Sequence, residues 1–150
     1  MDRLNFKNYT FRIQEIDSKR FIFDPIRKKF VALQPEEWVR QHIIRFLAEE
    51  KGYPLSLMNV EKELVVGGLT KRYDVVVFTP EGRVHLVVEC KAPSIRIRQA
   101  PFDQIARYNL ALKAPYLMVS NGIQHYFCKV DYEKNQYCFI EDLPHYKSFI

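Results

Sequence analysis

The stretch that most constrains this chain is 73–91, where two valine-rich runs, 73–79 and 84–91, flank the turn sequence Thr79-Pro80-Glu81-Gly82. Short β-branched runs around a Pro/Gly turn read as two antiparallel strands joined by a tight loop. Side chains alternate across a strand, so Glu89 and Lys91 share a face with Val87 while Leu86, Val88 and Cys90 point the other way. If the loop holds an even number of residues, partner numbers keep a constant sum and Asp74 lies directly opposite Glu89. A three-residue loop with a bulge, which Pro80 and Gly82 also suit, shifts the pairing by one and sets Asp74 against Val88 unless a second bulge restores it. Directly opposed side chains have β-carbons roughly 4.5–5.5 Å apart, where like charges destabilise unless something positive lies between them. Asp74 and Glu89 lie in runs that are apolar on both faces, and uncompensated charge is costly there. With a backbone carbonyl and water, the two carboxylates make an oxygen-rich site suited to Mg²⁺ or Mn²⁺ and not to zinc. The plain alternative is a salt-bridged strand edge.

The flanking chain reads as scaffold. Alternation of Phe11 and Ile13 with Thr10, Arg12 and Gln14, and turn signals at Asp17-Ser18-Lys19 and Asp24-Pro25, predict two or three short strands before residue 34. Gln34-Pro35-Glu36-Glu37 opens a helix that runs to about Lys51, with Gly52 as left-handed cap and Pro54 preventing continuation. Helical spacing puts Glu36 near the middle of the apolar face of Val39, Ile43, Phe46 and Leu47, and Glu37 well off it. Residues 56–66 form a strand that exits at Gly67-Gly68 and pairs with that of Asp74. A second helix is expected from about Pro101 to Lys113. Its buried stripe is Phe102, Ile105, Tyr108 and Leu112, which makes Tyr108 mainly core and leaves Gln104 to face the site. Residues 116–120 then form a strand parallel to that of Glu89 if the helix is a crossover. A closing hairpin follows over 124–130 and 136–141, and the last eight residues are expected to be loosely held.

At 150 residues one domain is expected over 1–150, with a β extension over 1–33, a core over 34–130 and a closing strand and tail over 131–150. Hydrophobic residues at 47% and aromatics at 14% exclude disorder, and no apolar run approaches the roughly 18 residues of a membrane span. Met1-Asp2-Arg3-Leu4-Asn5 lacks a signal-peptide core, so a reducing cytoplasm is expected. Cys90, Cys128 and Cys138 read as buried packing residues, and no histidine has ligand spacing with them. A formal charge of +5 and a pI near 9.1 agree with a nucleic-acid partner. Neither a Walker loop nor a Gly-x-Gly-x-x-Gly fingerprint is present, so no nucleotide cofactor is expected.

Asp74 followed by Glu89-x-Lys91 at the ends of adjoining strands resembles the PD-(D/E)XK nuclease superfamily, with Tyr73-Asp74 where that family has Pro-Asp. Gln104-Ile-Ala-Arg-Tyr108 resembles the Gln-x-x-x-Tyr helix motif of one branch, its i, i+4 spacing placing both residues on one face. Together with VVECKAP and the YLMVSNG strand, these motifs resemble the N-terminal nuclease domain of type I restriction enzyme motor subunits, over roughly residues 20–130.

The resemblance implies an α/β (α+β) fold with a restriction-endonuclease-like central mixed sheet flanked by helices, preceded here by a small antiparallel extension. It implies that Asp74 and Glu89 bind the metal, that Lys91 assists the attacking water, and that Gln104 and Tyr108 belong to the catalytic set. A Glu of the first helix often joins the metal in that family, and Glu36 is the better placed, although both glutamates also suit a helix N-terminus by charge alone. Arg96, Arg98 and Arg107, with Lys71 or Arg72, are candidate phosphate contacts that give affinity without base readout. The implied function is Mg²⁺- or Mn²⁺-dependent DNA cleavage without sequence specificity of its own, with restriction-modification subunits supplying motor and specificity. The alternative is an inactive nuclease-fold module that binds DNA or aids assembly.

Overall fold

In the computed structural model, which describes residues 1–149, the N-terminal strands pair first with one another. Strands β1 (Ile13–Ile16), β2 (Lys19–Asp24) and β3 (Lys29–Ala32) form an antiparallel sheet in sequence order. Asp24 ends β2 fully buried and caps the next turn, accepting from the N–H groups of Ile26 and Arg27 at 2.7 and 3.0 Å. Arg27 then bridges two acids, donating from Nε to Asp24 at 2.5 Å and from Nη2 to Glu37 at 2.7 Å. This latch ties the small sheet to helix α1 (Pro35–Arg45). Replacing Arg27 with methionine removes the cation shared by two buried carboxylates and is expected to cost about 3 kcal/mol. Urea unfolding should show a lower midpoint with unchanged slope.

Helix α1 starts on Pro35, whose missing N–H falls where no helical partner exists, and runs into a wider π-type turn at Phe46–Glu50. Its buried Val39, Ile43 and Ile44, with Leu47, pack on one face of a six-stranded sheet. That sheet comprises β4 (Met58–Val66), β5 (Leu69–Phe78), β6 (Val84–Cys90), β7 (Tyr116–Ser120), β8 (His125–Asp131) and β9 (Gln136–Ile140), in sequence order. Only β6 and β7 are parallel, and the crossover between them is helix α2 (Gln99–Leu112) on the opposite face. Alternation along β6 serves both layers: Leu86, Val88 and Cys90 face α1, whereas Val87 packs with Tyr73, Val76, Tyr108 and Leu112.

The β5–β6 hairpin takes the longer route to its register. Thr79 N–H donates to the Arg83 carbonyl at 2.7 Å and Gly82 N–H to the Thr79 carbonyl at 2.9 Å, enclosing Pro80, Glu81 and Gly82 as a three-residue loop. Gly82 has φ 85, a conformation in which a Cβ is strained. Phe78 pairs with Val84, but Val77 pairs with Leu86, so His85 is an extra residue that shifts the frame back by one. Beyond it the pairs run Val77↔Leu86, Val76↔Val87 and Val75↔Val88.

The β4–β5 pairing continues past the sheet. It extends from Met58↔Val77 to Val66↔Leu69, whereas β6 reaches only from Phe78 to Val75, so the outer part stands as a two-stranded arm. At its root Glu61 has φ 53 and the ladder skips one pair. Both strands roll over there: Met58, Val60, Val75 and Val77 face α1, but Leu64, Val66 and Tyr73 face α2.

Four expectations change. Glu37, not Glu36, is the buried glutamate of α1, because Arg27 and the Gln41 amide satisfy it. The buried line of α2 is Phe102, Ala106 and Asn109, because the helix packs against Leu117, Val119 and Cys128 of β7 and β8, leaving Tyr108 partly exposed. Cys138 is exposed, since it lies on edge strand β9. The tail is packed as far as Phe149, Ile150 lying outside the described residues: Tyr146 donates its N–H to the Lys51 carbonyl at 2.7 Å, and the Phe149 ring lies 4.4 Å from that of His85. Among the described residues, no helix is long and apolar enough to cross a membrane.

Candidate active site

Continuing the β5–β6 register by one step brings Asp74 opposite Glu89, at the point where the arm leaves the sheet. Asp74 Oδ2 accepts the Cys90 N–H at 2.7 Å, so a carboxylate replaces a ladder carbonyl and is held against the end of β6. Its Oδ1 faces Arg40 Nη2 at 3.6 Å. Glu89 is 9% exposed, with Oε1 3.2 Å from Lys71 Nζ. Burial, and then the negative charge and hydrogen bonding of Asp74, push the Glu89 carboxyl up to about 7, with Lys71 opposing. The same crowding reaches Glu36, exposed in the first turn of α1. Partial burial and the charge of Asp74 raise its carboxyl, and Arg40 and Lys91 oppose.

Lys91 is half-buried just beyond β6. Its backbone N–H donates to the Ser120 carbonyl at 2.8 Å, and among the described residues its ammonium makes no ion pair within 4.0 Å. Lys91, Glu89, Lys71, Gln104 and Tyr108 line one open cleft of about 380 Å³ between the arm and α2. Thus Gln104 and Tyr108 both reach the cleft. Arg107 lines the depression next to it with Leu69, Gln104 and Tyr108. Arg96 and Arg98 are exposed on the segment between β6 and α2, outside the cleft lining.

Two cations stand closer to the carboxylates than sequence reasoning placed them. Arg40 is 6% exposed, and its Nε and Nη1 lack hydrogen-bond partners among the described residues, although Glu37, Glu61 and Asp74 all lie within 3.7 Å of its guanidinium. Lys71 lies 4.8 Å from the ring centroids of both Tyr73 and Tyr108 while pairing with Glu89. Strict alternation puts Lys71 and Tyr73 on the α1 side with Val75 and Val77. The roll-over at Glu61 turns them to the cleft, and no residue pattern near Glu61 signals it.

Chemically the site is a pair of hard-oxygen donors, Asp74 and Glu89, with the Glu36 carboxylate nearby and the cations Lys71 and Arg40 against the pair. Among the described residues, no group of three or more His, Cys, Asp or Glu side chains is set to enclose a metal. One or two carboxylates completed by water and substrate phosphate are the usual protein share for Mg²⁺. Residues 35–144 match the family model described as type I restriction enzyme R protein N terminus. No curated protein matches the chain.

Proposed function

The chain belongs to the type I restriction enzyme R protein N-terminal family, and from that premise we propose that it is a metal-dependent DNA endonuclease domain without sequence specificity of its own. The observation that carries the proposal is that Asp74, bonded through Oδ2 to the Cys90 N–H at 2.7 Å, crowds the buried Glu89 carboxyl, while Glu89 and Lys91, whose ammonium has no ion pair among the described residues, line one cleft. Asp74 and Glu89 would hold Mg²⁺ or Mn²⁺, with Glu36 as a further donor. When bound, such an ion supplies Lewis-acid polarisation of the scissile phosphate. Lys91 would hold the attacking water by hydrogen bond, and Gln104 would orient water or phosphate from α2. Tyr108 walls the cleft and fixes Lys71. Arg107 at the rim, and Arg96 and Arg98 on the exposed segment, would neutralise phosphates of passing DNA without reading bases. Motor and specificity would come from partner subunits of a restriction-modification assembly acting in the cytoplasm.

Two measurements test this. Millimolar Mg²⁺ or Mn²⁺ should raise the melting temperature by binding only the folded site, and should support nicking of supercoiled plasmid. DNA binding with no metal-dependent cleavage of any substrate would leave the non-cutting binding module as the answer; the Lys71–Glu89 pair, which already compensates one carboxylate, favours that reading. Replacing Arg96 and Arg98 together with alanine should weaken binding on every sequence and reduce the magnitude of the log–log salt slope by about two.

A further inference from the structure

The cleft contains one cation that the proposed reaction does not use. Lys71 projects from β5 within the arm, and its side chain is 24% exposed, so water and solutes reach it. Its ammonium is held by Glu89 Oε1 at 3.2 Å and by the faces of Tyr73 and Tyr108 at 4.8 Å each. Among the described residues, Glu89 has no ion-pair partner but Lys71. Arg40, the cation beside Asp74, differs in kind: its side chain is 7% exposed and wedged among Glu37, Glu61 and Asp74.

A divalent ion bonded to Glu89 at about 2.0–2.1 Å would share a carboxylate with the ammonium, and the two positive charges repel across that short distance. Lys71 has a flexible stem and two aromatic faces that hold it in the cleft without Glu89. We propose that Lys71 is the exchangeable cation of this site: it occupies Glu89 until a divalent ion takes that carboxylate, and its ammonium, kept in the cleft by Tyr73 and Tyr108, then pairs with a phosphate of the DNA backbone. The exchange, which rests on the nuclease reading, makes metal and DNA bind with positive coupling, and the coupling is reciprocal.

The test is calorimetric titration of Mn²⁺ into wild type, Lys71→Gln and Lys71→Arg without DNA. Lys71→Gln removes the competitor and should bind Mn²⁺ about threefold or more tighter, as expected for loss of one charge-assisted partner. Lys71→Arg keeps the charge and the aromatic contacts, serves as the fold control, and should bind Mn²⁺ no more tightly than wild type. Duplex affinity is then measured with and without Mn²⁺ in a Lys91→Ala background. Mn²⁺ should strengthen DNA binding more with Lys71 present than with glutamine there. Equal or weaker Mn²⁺ binding by Lys71→Gln, tighter binding by Lys71→Arg, or an equal Mn²⁺ effect on DNA affinity overturns the exchange and leaves the nuclease reading standing. Absence of Mn²⁺ binding in every variant overturns both.

Discussion

Lys91→Ala is expected to lower metal-dependent nicking by a factor on the order of 10²–10⁴, the range for losing one group that positions a proton-transferring water. Duplex affinity should fall by no more than one phosphate contact, a small loss next to several arginines. The asymmetry follows from placement. Lys91 is half-buried on the Glu89 face and has no ion-pair partner among the described residues, whereas Arg96, Arg98 and Arg107 are exposed. Gln104→Ala should resemble Lys91→Ala in kind and be milder, because an amide orients without carrying charge. Single-turnover cleavage and fluorescence anisotropy on one duplex separate the two quantities. Equal loss of cleavage and binding in every variant would contradict these roles.

The second large effect is a pH dependence centred on Glu89. Its folded carboxyl is raised to about 7 from an ordinary 4.5, by burial first and Asp74 second. Between those values the folded protein keeps a proton that the unfolded chain has released. Stability from this group is therefore full below about pH 4.5 and is lost as pH rises through about 7, by roughly 3 kcal/mol. Burial lowers His42, His85 and His125, which pushes the opposite way, because their protonation on acidification opposes folding. A difference profile isolates the carboxylate. Asp74→Asn removes the neighbouring charge but keeps an oxygen for the Cys90 N–H, so its stability relative to wild type should climb as pH rises from about 5 to about 8. Any cost at Arg40 adds a constant offset. Millimolar Mg²⁺ should likewise stabilise wild type increasingly over that window, since it binds the ionised site. A flat difference between the two proteins would show that Asp74 does not set the Glu89 proton affinity.

Local patterns were enough for the elements and their order. Valine runs around a Pro/Gly turn gave the central hairpin, Pro35 and two glutamates gave the helix start, and a helix between two strand runs, read as a crossover, gave their parallel pairing. What stayed illegible depends on contacts distant in sequence or on a single backbone angle. Glu37 looked solvent-facing by helical spacing, yet Arg27, ten residues earlier, is carried to it by a turn fixed on Asp24. Lys71 reads in the sequence only as a candidate phosphate contact, because alternation assumes flat strands and the arm rolls over at Glu61. Tyr108 looked like core because the stripe on α2 has two candidate phases. The aromatic and apolar side chains of β7 to β9 select the one led by Phe102 and Ala106.

The slip between Val77 and Phe78 bears on how such a protein tolerates genetic change. Insertions and deletions accumulate at hairpin tips, and a tip of altered length ordinarily passes its change of frame down both strands. In this hairpin His85 absorbs that change before it reaches Asp74 and Glu89. A two-residue tip of Glu81-Gly82 without the bulge would set Phe78 opposite His85 and still leave Val77 opposite Leu86. Drift in loop length is thus insulated from the chemistry. Homologous chains should differ freely between Phe78 and His85, while keeping three residues from Val77 to Asp74 and from Leu86 to Glu89.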